Sequence, residues 1–332
     1  MKTTTHSPDR HNRARAPRRS RPILTAALTL VALVLTVATP ATAAPQDDGP
    51  LKVIATVPTY GRLAETIGGD EVEVVVICRP GQDLHGVTAT PSLVARVRDA
   101  DLVLHTGLDA ENWLAGLLRS SGNLDLLPGN SGSVSLSDEV SLKEVPTVVD
   151  RSQGDVHAFG NTHVWTDPLA VRAMAVQVRD ALISARPGGK AGFETRHAAF
   201  HRALTEKLVD WLRRAAAFKG SELVTYHRSW IYLLDRFGFV RVGTVEPKPR
   251  VAPTASHLEA LVETMEARGT HVIVREPWQH PQATEFLAEA TGATVLELST
   301  HPGFPEGVDG IIEHFEFNLT ALEGAFAPPT DG

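Results

Sequence analysis

Apolar and polar positions along this chain form two blocks in which strand-like and helix-like segments alternate. Strands are predicted at 52–57, 71–78 and 102–105 in the first block and at 223–225, 240–245, 271–275 and 294–298 in the second. Helices are predicted at 60–67, 91–98 and 110–118, and then at 229–237, 256–267, 282–289 and 310–322. Alternation of this kind indicates parallel sheets with helices on both faces.

A long helix is predicted between the two blocks, at 191–217, where the sequence contains no proline. Its apolar stripe is formed by residues that recur every four positions, namely Phe200, Leu204, Leu208 and Leu212. Such a helix would span roughly 40 Å at 1.5 Å per residue, which is long enough to serve as a rigid spine for both blocks. The stretch at 119–161 is rich in glycine, serine and asparagine, and we expect it to be loop-rich.

These patterns predict an α/β protein with two domains, each holding a small parallel sheet flanked by helices, joined by one long spine helix. The boundaries follow from the composition of the linking segments. They give a signal peptide at 1–43, an N-terminal α/β domain at 44–186, a linking helix at 187–218 and a C-terminal α/β domain at 219–326.

The N-terminal segment has the order of regions that is typical of an export signal. Seven basic residues precede an apolar stretch, and small residues at 41–43 offer a cleavage site near Ala43. We therefore predict an exported protein, periplasmic or extracellular. The adjacent Arg18 and Arg19 leave both the general secretory route and the twin-arginine route open. No cysteine follows the apolar stretch, so the sequence predicts no lipid anchor there.

Charge and cysteine content narrow the possible functions. Residues 1–43 carry seven basic residues and one acid, so their removal lowers the net charge from -7 to -13. An acidic surface disfavours nucleic acids and anionic membranes as partners. The only cysteine, Cys78, excludes both an internal disulfide and a thiolate cluster for metal binding. We predict a monomer.

Three histidines lie next to predicted element ends in separate parts of the chain. His85 follows a predicted strand after a Pro-Gly turn, His163 precedes a predicted helix at 169–181, and His227 directly follows a predicted strand. In parallel α/β domains ligands bind at the carboxyl ends of strands, so we expect these imidazoles to meet in one cleft. Three neutral imidazoles suit a borderline metal such as zinc. The sequence thus indicates an exported metal-binding protein.

Several motifs in order resemble a known family over about residues 51–325. They are Pro-Gly-Gln-Asp-Leu-His at 80–85, Asp-Leu-Val with Gly-Leu at 101–108, Asn-Thr-His-Val-Trp-Thr-Asp-Pro at 161–168, Tyr-His at 226–227, Glu-Pro at 276–277 and Thr-Gly-Ala at 291–293. The chain is similar to the metal-specific extracytoplasmic solute-binding proteins of ABC transporters, cluster A-I. The resemblance implies His85, His163 and His227 as metal ligands.

The fourth ligand is less clear, because this sequence departs from the family pattern. Relatives usually carry an aspartate ligand after the last strand, and here Ser299 stands near that place. A serine hydroxyl is a poor zinc ligand. We predict Glu276, at the end of a strand next to the one that carries His227, as the fourth ligand. His301 and a water molecule are the alternatives.

Other polar residues near these motifs have open roles. Asp167 is expected to cap a helix or accept a hydrogen bond from a ligand rather than bind metal. Glu246 either lines the cleft or belongs to a rigid turn. His157 could capture or relay metal, although an exposed loop histidine is the simpler interpretation.

The predicted function is capture of zinc between the two domains and delivery to an ABC-type permease with a cytoplasmic ATPase. Manganese is the less favoured cargo, because its sites more often combine two carboxylates with two histidines. We predict that the chain is not an enzyme. Two alternatives are a zinc-dependent hydrolase with an open three-histidine site and a manganese-binding uptake protein or adhesin.

Overall fold

The computed structural model describes residues 49–147 and 157–327. The predicted signal peptide at 1–43 therefore lies outside the described residues. Within the described part of the chain, no helix is both long and apolar enough to span a lipid bilayer.

The first sheet contains four parallel strands in the order β2-β1-β3-β4. Their bounds are Leu51–Ala55 for β1, Val72–Val76 for β2, Leu102–His105 for β3 and Ser133–Ser135 for β4. The segment at 119–161, predicted to be loop-rich, also contributes β4, a strand that was not predicted, which pairs with β3 from Val103↔Ser133 to His105↔Ser135. With three residues and two serines, β4 has neither the length nor the apolar content that marks a strand in sequence.

Four helices surround the first sheet. They are α1 at Pro58–Gly68, α2 at Pro91–Arg98, α3 at Leu114–Ser121 and α4 at Pro168–Ala185. The helix predicted at 110–118 begins four residues later, because Leu108 and Asp109 adopt positive φ angles of 57° and 59° and form a turn after β3. Asp167 precedes α4, and its carboxylate accepts a hydrogen bond from the Leu169 amide at 2.9 Å, as expected for a helix cap.

The long helix α5 runs from Lys190 to Ala215. Phe200, Leu204 and Leu208 are buried as predicted, whereas the side chain of Leu212 is 41 % exposed and Trp211 is buried in its place. At 3.6 residues per turn, a spacing of four residues drifts around the helix. Leu212 thus lies roughly 120° from Phe200 and Trp211 roughly 20°.

The second sheet repeats the topology of the first, with parallel strands in the order β6-β5-β7-β8. The strands are β5 at Glu222–Thr225, β6 at Val240–Thr244, β7 at Val272–Arg275 and β8 at Thr294–Glu297. The helices of this half are α6 at Ile231–Phe237, α7 at Ala255–Arg268, α8 at Gln282–Thr291 and α9 at Ile311–Phe326. His85 lies in the connection that follows β2, and His227 lies in the connection that follows β5.

The largest buried cluster extends through both halves of the molecule. It includes Tyr60 of α1, Trp211 of α5 and Phe315 of α9. Helix α5 packs against α1 and α4 on the side of the first sheet and against α6 and α9 on the side of the second. The predicted fold class, two small parallel sheets with flanking helices and one long helix, is confirmed. The domain limits themselves stay a prediction.

Candidate metal centre

Three histidines from separate parts of the chain converge at the carboxyl ends of the strands. Among the described residues, His85, His163 and His227 form one group in which a potential ligand atom of each lies within 4.8 Å of the other two. Tetrahedral zinc holds its nitrogen ligands at about 2.0–2.1 Å, which places them roughly 3.3 Å from one another. Contraction of the group by about 1.5 Å at most would therefore form a metal site.

His85 is held by the connection that follows β2. It lies in a short 3₁₀ turn, Leu84–Gly86, and its amide donates to the Asp83 carboxylate at 2.9 Å. Its Nδ1 atom lies 3.1 Å from the main-chain oxygen of Ala110, beyond β3. The side chain is thus fixed between two connections of the first sheet.

His163 is held by Asn161, two residues before it. The Asn161 Oδ1 atom accepts from both the amide and the Nδ1 of His163, each at 3.0 Å. The Asn161 Nδ2 group donates at 2.9 Å to the Glu144 carboxylate and to the main-chain oxygen of Arg228. These two acceptors fix the amide orientation, so the oxygen of Asn161 faces the ring of His163.

His227 lies two residues after β5 and is held from the neighbouring strand. Its Nδ1 donates to the Oε2 of Glu246 at 2.7 Å. Glu246 lies two residues after the end of β6 and also accepts from the amide of Arg250 at 3.0 Å. Of the two roles left open for Glu246, the structure shows that it lines the cleft.

All three rings share the same tautomer. Each Nδ1 faces an oxygen that can only accept, so each Nδ1 carries the proton and each neutral ring keeps its Nε2 lone pair. A metal-binding histidine almost always donates its other ring N–H to such an acceptor, which fixes the ring and raises its basicity. The hydrogen-bond pattern therefore prepares three Nε2 atoms for one cation.

Burial and neighbouring charges shift the proton affinities of this group in opposite directions. Burial holds the pKa of His163 well below its usual value, and repulsion from His227 and His85 adds to the effect. Burial also disfavours the charged form of His227, but its hydrogen bond to Glu246 and the charge of Glu276 outweigh burial and raise its pKa. Protons therefore compete with a metal more strongly at His227 than at His163.

The group opens into a cleft of about 300 Å³ between the two sheets. Besides the three histidines, polar and aromatic side chains line it, among them Tyr226, Ser229, Arg250, Trp278, Thr300 and His301. The cleft is thus larger than a bare ion requires.

Glu276 lies close to this group but outside it. Its side chain is fully buried and does not line the cleft. Burial raises its pKa to about 7, against the opposing attraction of His227. Direct metal ligation by Glu276 stays a prediction.

His301 and Ser299 belong to the loop that follows β8. The His301 ring stacks on Trp165 with centroids 4.9 Å apart, and its Nδ1 lies 3.0 Å from the hydroxyl of Thr59. His301 lines the cleft but does not belong to the group of three. The Ser299 hydroxyl bonds to the main chain of His301, donating at 2.8 Å and accepting at 3.1 Å. Thr300, rather than Ser299, lines the cleft.

His157 lies beside the group rather than in an isolated exposed loop. Its ring stacks on that of His85 with centroids 5.2 Å apart, and it is half-buried. The simpler interpretation of an exposed histidine is therefore wrong. A role in capture or relay of metal stays a prediction.

The sequence as a whole matches one family of metal transport components. The family profile described as "ZnuA: Zinc-uptake complex component A periplasmic" matches residues 53–325. The chain belongs to the ZnuA family. It is thus a metal-binding, extracytoplasmic solute-binding protein, as the resemblance implied. Membership of a family of transport components also confirms that the chain is not an enzyme.

Curated relatives of this ZnuA-family chain have low sequence identity. The zinc-binding protein AdcA of Streptococcus pyogenes serotype M3 is 22% identical over 270 residues, covering 78% of this chain and 52% of AdcA. The chain thus spans about half the length of that relative. The high-affinity zinc uptake system protein ZnuA of Haemophilus ducreyi is 22% identical over 298 residues, covering 81% of this chain and 93% of the relative.

Solved structures of the family share the fold. A zinc-bound ZnuA deletion mutant superposes with a TM-score of 0.72 at 20% identity, covering 84% of this chain and 100% of that one. A manganese-bound mutant of a periplasmic metal binding protein from Candidatus Liberibacter asiaticus gives 0.69 at 19% identity, covering 82% of this chain and 98% of that one. Members of one fold thus carry different metals.

Sequence reasoning missed the residues that support the three histidines. Asn161 stands in the Asn-Thr-His motif, but its contact with His163 was not predicted. The main-chain oxygen of Ala110 carries no sequence signal at all. Arg250 was also missed. Its signal is a charged side chain after the Pro-Lys-Pro turn at 247–249, which the structure brings to the rim of the cleft.

Proposed function

We propose that this protein captures zinc(II) with His85, His163 and His227 and delivers it to an ABC-type permease with a cytoplasmic ATPase. The observation that carries the proposal is the common tautomer of the three rings, each of which has its Nδ1 engaged by an oxygen. This arrangement leaves three Nε2 atoms directed to one ion, and imidazole nitrogen is a preferred ligand of zinc. Glu276 interacts electrostatically with His227 and is our candidate for the fourth ligand.

Zinc is favoured over manganese by the chemistry of the donor group. The three histidines offer nitrogen alone, whereas manganese prefers carboxylate and water oxygen. A manganese-carrying protein is the second candidate, supported by the manganese-bound member of the same fold. A site with an additional carboxylate ligand would favour that second candidate.

The test is a calorimetric titration of the metal-stripped protein with zinc and with manganese, together with analysis of bound metal. We expect one tight zinc per chain and much weaker binding of manganese. His227→Ala should weaken zinc binding by roughly a hundredfold or more, because it removes a ligand whose supporting contacts alone are worth about 10–100-fold. The matched control is His271→Ala, which changes an exposed histidine. Equal effects of the two substitutions would refute the site.

Delivery to a permease is tested in cells. A strain that lacks this protein should lose uptake of zinc at low external concentration, and the His227→Ala variant should fail to restore it. Restoration by that variant would refute transport through this site.

Export and domain organisation complete the proposal. We infer cleavage near Ala43, a monomeric mature protein, and a hinge between the segments at 44–186 and 219–326 around the helix at 187–218. The mass of the secreted protein tests the first point, and light scattering tests the second. A mass that retains residues 1–43 would exclude cleavage at this position.

A further inference from the structure

The cleft beside the three histidines offers more room than a metal ion with one water molecule would fill. Its volume of about 300 Å³ compares with about 30 Å³ for one molecule of liquid water. A site built for a bare ion normally closes around it with protein ligands. The additional space therefore points to a further component of the cargo.

Hydrogen-bond donors line this space without protein acceptors. Within residues 49–147 and 157–327, the hydroxyl of Tyr226 and the indole N–H of Trp278 have no hydrogen-bond partner, and both residues line the cleft. Thr300 also lines the cleft. Donors of this kind suit a ligand that presents oxygen acceptors.

Arg250 adds a positive charge at the rim. Its Nη1 donates to the main-chain oxygen of His85 at 3.3 Å, and its Nε lies 3.8 Å from the Asp83 carboxylate. Its side chain is 46% exposed. A guanidinium has five N–H donors, and these two long contacts leave most of them available to a ligand. A guanidinium binds a carboxylate through two parallel hydrogen bonds.

Two carboxylates line the cleft, and the charge of a bound zinc ion would offset their repulsion of an incoming anion. Asp83 accepts from the amide of His85, and Glu246 accepts from His227 and from the amide of Arg250. The three metal-binding rings are themselves neutral. A zinc ion on these rings would keep both of its positive charges, which favours an anion in the fourth coordination position.

We propose, as an extension of the proposed function, that the cleft binds zinc together with a small carboxylate chelator. One carboxylate oxygen of the chelator takes the fourth position on the metal, and a second carboxylate of the same molecule binds Arg250. The donors of Tyr226, Trp278 and Thr300 hold the remaining oxygens. Direct ligation by Glu276 is the competing assignment of the fourth position.

Cobalt(II) in place of zinc makes the coordination sphere visible, because its d–d absorption changes when a ligand is exchanged. The protein is saturated with cobalt and titrated with citrate, with acetate and with phosphate, and citrate that stays with the protein after gel filtration is quantified. We expect a saturable spectral change with citrate, a weaker one with acetate, and about one citrate retained per cobalt. Arg250→Gln, compared at saturating cobalt, should weaken the citrate response by roughly tenfold. Arg202→Gln, at an exposed arginine of α5, should leave it unchanged.

Three results would overturn the proposal. Citrate could remove cobalt from the protein without forming a ternary complex, which would mean that the cargo is the ion alone. Phosphate could give the response and the carboxylates none, which would assign the wrong chemical class. Arg250→Gln could respond like the unaltered protein. Failure of cobalt and zinc to bind at all would instead refute the proposed function, so the two failures are distinguishable.

Discussion

The Oε2 atom of Glu246 lies 2.7 Å from the Nδ1 of His227 and joins the end of β6 to the end of β5. This contact acts on the metal centre in two ways. It fixes the tautomer of His227, and together with the charge of Glu276 it raises the pKa of that ring. A more basic imidazole is a stronger metal ligand, but it also holds its proton to a higher pH.

Two substitutions of Glu246 separate these effects. Glu246→Gln keeps an oxygen acceptor for Nδ1 but removes the charge, whereas Glu246→Ala removes both. We expect zinc affinity at neutral pH to fall about 10–100-fold in the alanine variant and less in the glutamine variant. Zinc titrations of both variants check the order, with Glu259→Ala on the exposed face of α7 as the control. Equal losses in both variants would mean that the charge alone matters.

The same pair of residues predicts how metal binding depends on pH. Because the pKa of His227 is raised, its ring becomes protonated at a higher pH than an ordinary histidine as the solution is acidified, and a protonated ring cannot bind zinc. Zinc affinity should therefore begin to fall above the ordinary histidine pKa of about 6.5. In Glu246→Gln the onset should move to lower pH. Titrations between pH 8 and 5 measure both curves, and coincident curves would contradict the assigned role of Glu246.

The buried carboxyl of Glu276 is expected to lower the stability of the metal-free protein while it favours metal binding. Its folded-state pKa of about 7 lies above the value of about 4.5 for an exposed glutamate, so folding binds a proton between these values. Stability of the metal-free protein is therefore lost as pH rises from about 4.5 through about 7. The loss is about 3.5 kcal/mol at most, because each pKa unit corresponds to about 1.4 kcal/mol. Metal in the cleft would offset this loss by attraction to the buried charge.

Glu276→Gln should thus stabilise the metal-free protein at pH 8 while weakening zinc binding. Urea unfolding at pH 8 and pH 5 measures the first effect, and the gain should be smaller at pH 5, where Glu276 is protonated in the folded state. Zinc titration measures the second effect. The loss of zinc affinity in Glu276→Gln should exceed the loss in His301→Ala. A larger effect of His301→Ala would move the fourth ligand to the loop after β8.

The sequence was sufficient for the fold class and for the convergence of His85, His163 and His227. The hydrophobic periodicities of strands and helices can be recognised from local sequence. In a parallel sheet the carboxyl ends of the strands then lie at one edge, even when the strands are far apart in the chain. The supporting contacts could not be predicted in this way. Ala110 holds His85 through a main-chain oxygen, and Glu246 reaches His227 from another strand, so both contacts depend on tertiary placement.

Sequence reasoning missed β4 and placed Leu212 wrongly, because short-range patterns carry limited information. β4 is a polar three-residue strand, and it is recognised only by its pairing with β3. Leu212 was assigned to the buried stripe of α5 by a spacing of four, while the helix turns every 3.6 residues and buries Trp211. In both cases the neighbouring element, rather than the local sequence, decides the outcome.

The ion pair between Asp167 and Arg236 connects the start of α4 to α6 near the cleft. Arg236 donates from Nε at 2.8 Å and from Nη2 at 2.7 Å to the two carboxylate oxygens, while Asp167 also caps α4. Asp167→Ala removes the cap and leaves Arg236 unpaired, so it should destabilise the protein by about 2–4 kcal/mol. Arg236→Met should cost less, because the cap remains. Urea unfolding of both variants tests this order, and a larger loss for Arg236→Met would contradict the role of the cap.

Aspartate substitutions at Thr300 and at Ser299 are expected to have different effects on zinc binding. Thr300 lines the cleft, whereas the Ser299 hydroxyl is fully engaged with the main chain of His301 and lies outside the lining. Thr300→Asp should therefore place a carboxylate near the open coordination position and strengthen zinc binding by roughly tenfold, because it adds a charged oxygen ligand to three neutral nitrogens. Ser299→Asp should bury a carboxylate against a main-chain oxygen and mainly lower stability. Zinc titration and urea unfolding of the two variants separate these effects, and tighter zinc binding in Ser299→Asp than in Thr300→Asp would show that the loop after β8 rearranges around the metal.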